Sequence, residues 1–74
     1  MSNPDWRDRI QCDSTIHHGE PCIRGTRVAV AVIVATLAEM SVEELLKQYP
    51  QLTRDDIRAA LYFASEAAHS TLVA

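Results

Sequence analysis

The stretch "SVEELLKQYPQLTRDD" (residues 41–56) carries the clearest fold signal in this chain. It opens with a capping box, in which the Ser41 hydroxyl accepts from the backbone amide of Glu44 and the Glu44 carboxylate reaches back to the cap amide. Pro50 ends this helix, because the residue before a proline avoids the helical region. Thr53 then starts another helix, whose first turn contains two acids that suit the helix dipole. The stretch therefore predicts two helices joined by a short turn.

The second of these helices has a stripe of small and aliphatic side chains at helical spacing, which we expect to be buried: Ile57, Ala60, Leu61 and Ala64, continued by Ala67 and Ala68. We expect this helix to fray near His69 and Ser70. The brief turn through Tyr49, Pro50 and Leu52 resembles the connection of a helix-turn-helix. A plain helical hairpin that closes a core fits the same pattern, so the sequence leaves both interpretations open.

Residues 28–38 form the most apolar segment of the chain. Their β-branched side chains favour a strand, whereas their length and their alanines favour a helix. A helix from about Val30 is predicted because four apolar residues recur at helical spacing: Val30, Ile33, Val34 and Leu37. The other face is apolar too: Ala31, Val32, Ala35 and Ala38. A helix that is apolar nearly all round is buried on more than one side, so we expect a homodimer or higher homo-oligomer.

The first third of the chain contains two short extended segments, Arg9–Cys12 and Pro21–Ile23, separated by a polar tip. Gly25 suits a tight turn just before the apolar segment. The predicted fold is mainly α, with a short N-terminal β-hairpin followed by a three-helix, helix-turn-helix bundle. Residues 1–8 are predicted to be a flexible N-terminal arm, and residues 9–74 a single domain.

Charge and hydropathy narrow the class of protein. The chain has 74 residues and a net charge of −3. Residues 1–27 carry equal numbers of acidic and basic side chains, whereas residues 28–74 carry more acids than bases. A DNA-reading helix normally shows an excess of bases instead. The apolar run is too short to span a bilayer, and charged side chains occupy the place of a signal peptide's apolar region. We therefore expect a cytoplasmic protein without a membrane partner.

Four potential soft-metal ligands lie within eleven residues: Cys12, His17, His18 and Cys22. Zinc sites usually present paired ligands across short turns, and adjacent histidines point to opposite faces of an extended segment. We therefore predict two small semi-buried thiols and a polar hairpin tip rather than a metal site, and no cofactor. Nucleophiles and bases are present, but no spacing brings a nucleophile, a base and an orienting group together, so an enzyme is the least favoured class.

Several linked blocks resemble a known family: Gly19-x-Pro21-x-Ile23-x-Gly25-Thr26-Arg27, Ser41-x-Glu43-Glu44, Tyr49-Pro50-x-Leu52-Thr53, Asp56-Ile57 and Ala59-Ala60-Leu61. They are similar to the small bacterial domain-of-unknown-function family 433, described as VapB-like antitoxins, from about Arg9 to Ala64. The resemblance implies a homeodomain-like three-helix fold and a role in a type II toxin–antitoxin pair with a PIN-like nuclease toxin. Family members usually place glycine before the Ser41 cap, where this chain has Met40. A methionine does not readily take a positive φ, so the helix end is expected to be shaped differently.

Two candidate sites follow. Antitoxins usually bind the toxin with a long flexible tail, but this chain ends at Ala74 soon after the third helix, so we expect the folded domain or its N-terminal arm to bind. Arginine forks match carboxylates, which a PIN-like nuclease clusters around its metal, and this assigns toxin binding to Arg24, Gly25, Thr26 and Arg27. The alternative is structural, with Arg27 paired to Glu20 or Glu44.

The second candidate site is a DNA-binding surface for a transcriptional autoregulator. Arg54 and Arg58 lie one turn apart at the start of the third helix, where a reading helix contacts operator DNA. Asp55 and Asp56 lie between them, and a solvated face with local ion pairs explains the same pattern.

Overall fold

The structure, a computed structural model, describes residues 5–15 and 17–73, without the side chains of residue 17 and residues 70–73. Two short 3-10 helices alternate with two strands, and three α-helices follow: the 3-10 helix Trp6–Arg9, β1 (Ile10–Cys12), the 3-10 helix His17–Gly19, β2 (Pro21–Ile23), α1 (Val30–Leu37), α2 (Val42–Gln48) and α3 (Arg54–Val73). The predicted mainly α fold, with an N-terminal β-hairpin before three helices, is confirmed.

The hairpin is antiparallel and pairs Ile10 with Ile23 and Cys12 with Pro21. Its connection uses left-handed backbone at His18 (φ 58°) and Gly19 (φ 87°), which turns the chain within a few residues. An isolated bridge from Cys22 to Ala29 then draws the residues after the hairpin alongside β2. The hairpin therefore fixes where α1 begins.

The starts of α2 and α3 are closed by reciprocal side-chain caps. The Ser41 hydroxyl accepts from the Glu44 amide at 3.2 Å, and the Glu44 carboxylate accepts from the Ser41 amide at 3.1 Å. At α3 the Thr53 hydroxyl accepts from the Asp56 amide at 3.1 Å, and the Asp56 carboxylate accepts from the Thr53 amide at 3.0 Å. Each cap satisfies backbone donors that a helix start would otherwise leave unpaired.

The start of helix α1 differs from those of α2 and α3, because burial rather than a side-chain cap fixes its position. Its N-cap residue, Ala29, makes no side-chain cap hydrogen bond. Its position depends on burial of Val30 and Ile33 in the common core, which comprises Ile23, Val28, Val30, Ile33, Leu45, Leu52, Ile57 and Ala60. Met40, the residue before the Ser41 cap, packs against this core and does not adopt a positive φ.

Helix α3 packs more extensively on α1 than on α2. Helices α2 and α3 are joined by the short turn through Tyr49, Pro50 and Leu52, as in the predicted helix-turn-helix. Helix α3 is continuous to Val73, past His69 and Ser70, where the sequence predicts fraying. No glycine or proline follows Thr53, so the sequence contains no residue that would stop the helix there. The predicted stripe is buried at Ile57 and Ala60 but exposed at Leu61, Ala67 and Ala68, so its burial is wrong for that half.

Part of the predicted N-terminal arm packs on α3. Trp6 stacks on Tyr62 with ring centroids 6.0 Å apart and meets Phe63 edge-on at 6.5 Å. Arg7 lies over the Trp6 ring and pairs with Glu66 at 2.7 Å. Residues 1–4 of the arm lie outside the described residues.

Candidate functional site at the arginine turn

Residues 24–27, the arginine turn, connect β2 to α1. The Thr26 hydroxyl donates to the Ile23 carbonyl at 2.8 Å and accepts from the Val28 amide at 3.0 Å. The Ile23 amide also donates to the Val28 carbonyl at 3.0 Å. Gly25 has φ 81°, a left-handed conformation that glycine adopts at no steric cost. Thr26 and Gly25 thus hold the turn in one shape, as the sequence predicted for the glycine.

Arg24 is exposed, yet its guanidinium contacts its own chain. Its Nε donates to the Asp8 carbonyl at 2.7 Å, and its Nη2 donates to the Ile10 carbonyl at 3.4 Å. These bonds tie the turn to the start of the hairpin. A carbonyl carries no net charge, so the contacts fix the guanidinium without neutralising it.

Arg27 lies at the edge of a groove of about 300 Å³, lined by Glu20, Arg27, Val28, Ala29, Val32 and Tyr49. Arg27 is exposed, and Val32 is 43% exposed although it is aliphatic. The rim of the groove carries a base, Arg27, and an acid, Glu20, above an apolar floor, which suits a partner surface that presents polar groups around an apolar side chain. Sequence reasoning missed Val32 and Tyr49 as site residues. Their separation along the chain hides the fact that the fold brings both to Arg27.

The two arginines assigned to DNA binding each face a carboxylate. Arg54 Nη2 contacts Glu43 Oε2 at 2.9 Å, which joins the start of α3 to the start of α2. Arg58 lies 3.8 Å from Asp55 on the same helix. The hydrogen bond from Arg54 lowers the pKa of Glu43 below its ordinary value, so this partner is ionised at neutral pH.

Sequence reasoning did not find the contact between Arg9 and Asp56. Arg9 Nη1 meets Asp56 Oδ1 at 3.0 Å, and Arg9 Nη2 lies 3.6 Å from Asp55 Oδ2. Asp56 is only 7% exposed, and its other oxygen caps Thr53. The acid therefore joins the N-terminal segment to α3. The capping position was visible in the sequence, but the partner 47 residues earlier was not.

The prediction that both cysteines are semi-buried is wrong, because the fold exposes one and buries the other. Cys12 is exposed and Cys22 is buried, and neither forms a disulfide. Burial raises the pKa of the Cys22 thiol, with smaller contributions from Glu20 and Cys12, and the thiol contacts the Glu20 carbonyl at 3.4 Å. Within residues 5–15 and 17–73 no group of three or more His, Cys, Asp or Glu is placed to hold a metal ion. The His17 side chain lies outside the described residues, so its part in the weighed metal site stays untested.

One family model matches the chain, over residues 10–64, and its description reads "Protein of unknown function (DUF433)". The chain belongs to this family. The DUF433 match begins with β1 and ends within α3, so it includes the arginine turn as well as Arg54 and Arg58. Comparison with curated proteins and with solved structures finds no match in either case. Among the described residues, no helix combines the length and apolar character that crossing a bilayer requires.

Proposed function

We propose that this DUF433 protein is the antitoxin of a type II toxin–antitoxin pair, which binds and neutralises a PIN-like nuclease through the arginine turn and the neighbouring groove. The observation that carries the proposal is the exposed Arg27 beside an apolar groove, on a turn held rigid by Thr26, Gly25 and Arg24. A nuclease of this class clusters carboxylates around its metal, and a guanidinium can contact a carboxylate through two parallel hydrogen bonds. Binding there blocks the metal site without requiring catalysis by the antitoxin.

The residues of the turn have different tasks in this proposal. Arg24 is a positioning residue, because its donors already contact the carbonyls of Asp8 and Ile10. Arg27 contacts the toxin carboxylates, and Val32 and Tyr49 pack against apolar side chains around them. A turn that is already ordered loses little conformational entropy on binding, which favours affinity.

DNA binding is the second candidate function, through the helix-turn-helix formed by α2 and α3. Arg54 and Arg58 lie at the start of α3, where such folds contact DNA. However, Glu43 and Asp55 lie beside these arginines, and carboxylates next to phosphates oppose binding. The local ion pairs therefore weigh against operator binding through these two arginines, and autoregulation by this protein stays a prediction.

Co-expression with a PIN-like nuclease encoded by an adjoining reading frame tests the proposal. We expect a complex that survives purification and an RNA cleavage rate that falls as the antitoxin is titrated in. The Arg54→Gln/Arg58→Gln double variant serves as the control and should inhibit as wild type does. If the wild-type protein neither binds nor inhibits the nuclease, but shifts the DNA upstream of its own gene, the regulator alternative replaces the antitoxin proposal.

A further inference from the structure

The backbone of residues 8–10 lies between the arginine turn and the start of α3. On the side of the turn, Arg24 contacts all three carbonyls of this segment. Its amide donates to the Arg9 carbonyl at 2.7 Å. Its guanidinium donates to the carbonyls of Asp8 and Ile10 at 2.7 and 3.4 Å. A change in the position of these carbonyls therefore moves Arg24, and the arginine turn with it.

The side chain of Arg9 holds the same segment from the other side. Its Nη1 meets Asp56 Oδ1 at 3.0 Å and its Nη2 lies 3.6 Å from Asp55 Oδ2, so one guanidinium contacts two carboxylates in the first turn of α3. The side chains of Arg9 and Asp56 are 34% and 11% exposed, so water and salt screen this contact less than a surface ion pair. The segment is thereby anchored to α3.

The hairpin alone does not hold residues 8–10 firmly. Its two strands have three residues each, and an isolated two-stranded hairpin is at best marginally stable in water. Arg7 also pairs with Glu66 of α3, but both side chains are more than half exposed, and such pairs contribute little. The contact of Arg9 with α3 is therefore the stronger polar anchor of the two.

We infer that Arg9 is a positioning residue for the arginine turn: its contact with the carboxylates of α3 fixes residues 8–10, and these fix Arg24. In toxin binding, where this role rests on the proposed function, Arg9 orients the turn without touching the toxin. Asp55 also lies 3.8 Å from Arg58, so the arginine turn and a candidate DNA-binding residue share one anchor. The coupling itself is measured in the free protein, so its failure is separate from a failure of toxin binding.

Hydrogen exchange of backbone amides in the full chain, followed by NMR, tests the inference. Arg9→Met removes the charge without altering either carboxylate. We expect the Thr26 amide, which donates to the Ile23 carbonyl within the turn, to exchange at least about 10-fold faster relative to the Leu45 amide of α2. The Leu45 amide reports the loss of overall stability, so only the excess belongs to the turn. Arg9→Lys keeps a cation at this position and should restore most of the protection.

Arg54→Gln is the matched control, because it removes a charge from the start of α3 whose partner is Glu43 rather than the N-terminal segment. It should change the exchange of the Thr26 and Leu45 amides by the same factor. If Arg9→Met accelerates the Thr26 amide no more than the Leu45 amide, Arg9 stabilises the whole domain and the inference is wrong. A loss of protection in the turn that is as large in the control also overturns it, because the effect would not pass through residues 8–10.

Arg24→Gln tests the coupling in reverse, and it decides the matter if Arg9→Met does not fold, because coupling between two sites is reciprocal. The Asp56 amide donates to the Thr53 hydroxyl at the start of α3. In Arg24→Gln this amide should exchange at least about 3-fold faster relative to the Leu45 amide. An Asp56 amide that keeps its wild-type exchange relative to Leu45 overturns the inference.

Discussion

Two arginines near the start of the chain are used in opposite ways. Arg9 faces the carboxylates of Asp55 and Asp56, and Asp56 is nearly buried. Among the described residues, the Arg24 guanidinium donates to the backbone carbonyls of Asp8 and Ile10. In the first case the charge is neutralised inside the domain, and in the second the guanidinium is fixed while its charge remains. Both arginines stabilise the fold, and the acceptor, rather than the arginine itself, decides whether the charge is neutralised at the same time.

The largest expected effect concerns the neutralised pair. Asp56→Ala removes the cap of the Thr53 amide and leaves Arg9 without its closest carboxylate. We expect the free energy of unfolding to fall by about 2–3 kcal/mol, measured by urea denaturation. Asp55→Ala, at a side chain 62% exposed, is the matched control and should cost less than about 1 kcal/mol. If both variants lose the same free energy of unfolding, the burial of Asp56 contributes nothing to stability.

The shape of the arginine turn is tested at Gly25. Gly25→Ala forces a side chain into φ 81°, and an added Cβ meets no atom within 4 Å, so the cost is one of backbone conformation alone. We expect a loss of about 1–2 kcal/mol of unfolding free energy. Gly25→Asn should recover part of this loss, because asparagine tolerates left-handed backbone. An alanine variant as stable as wild type would mean that the turn is not held in this shape.

A smaller effect is expected from Arg24. Arg24→Gln removes the hydrogen bonds to Asp8 and Ile10 and should lower the free energy of unfolding by about 1 kcal/mol. The control is Arg58→Gln, whose carboxylate contact is long and exposed and whose effect should stay within about 0.5 kcal/mol. If the two variants lose the same stability, the positioning role of Arg24 is wrong.

The smallest effect concerns Glu43, whose pKa is lowered chiefly by the hydrogen bond from Arg54. A lowered pKa in the folded state adds stability at pH values above the unfolded pKa, and this contribution is lost as the pH falls through the folded pKa. Arg54→Gln removes that hydrogen bond and should raise the Glu43 pKa towards its ordinary value. NMR titration of the Glu43 side-chain carboxyl carbon measures this change. An unchanged pKa would show that the ion pair does not persist in solution.

The parts of the fold that local sequence encodes were predictable. Ser41 and Glu44 sit at the spacing of a capping box, and the structure contains both of its hydrogen bonds. Gly25 likewise predicted the tight turn, and its φ of 81° confirms it. Such signals lie within a few residues of each other, so no knowledge of tertiary contacts is needed.

Long-range contacts were not predictable from one sequence. Nothing in the spacing of Arg9 and Asp56 indicates that they meet, and the stacking of Trp6 on Tyr62 depends on how the N-terminal segment crosses α3. The composition of the groove beside Arg27 depends likewise on the fold, which brings Val32 and Tyr49 together. The sequence therefore predicted the arginines of the candidate site but not the apolar residues that line the groove beside them.

Calorimetric titration of the PIN-like nuclease with the Arg27→Gln variant tests the central claim most directly. Arg27→Gln should raise the dissociation constant about 30-fold or more, because a charged contact at the toxin carboxylates is lost. Arg54→Gln removes the same charge from α3 and should leave binding unchanged. Wild-type affinity in the Arg27 variant, or an equal loss in both variants, would contradict the account, because the arginine turn would then not be the surface that binds the toxin.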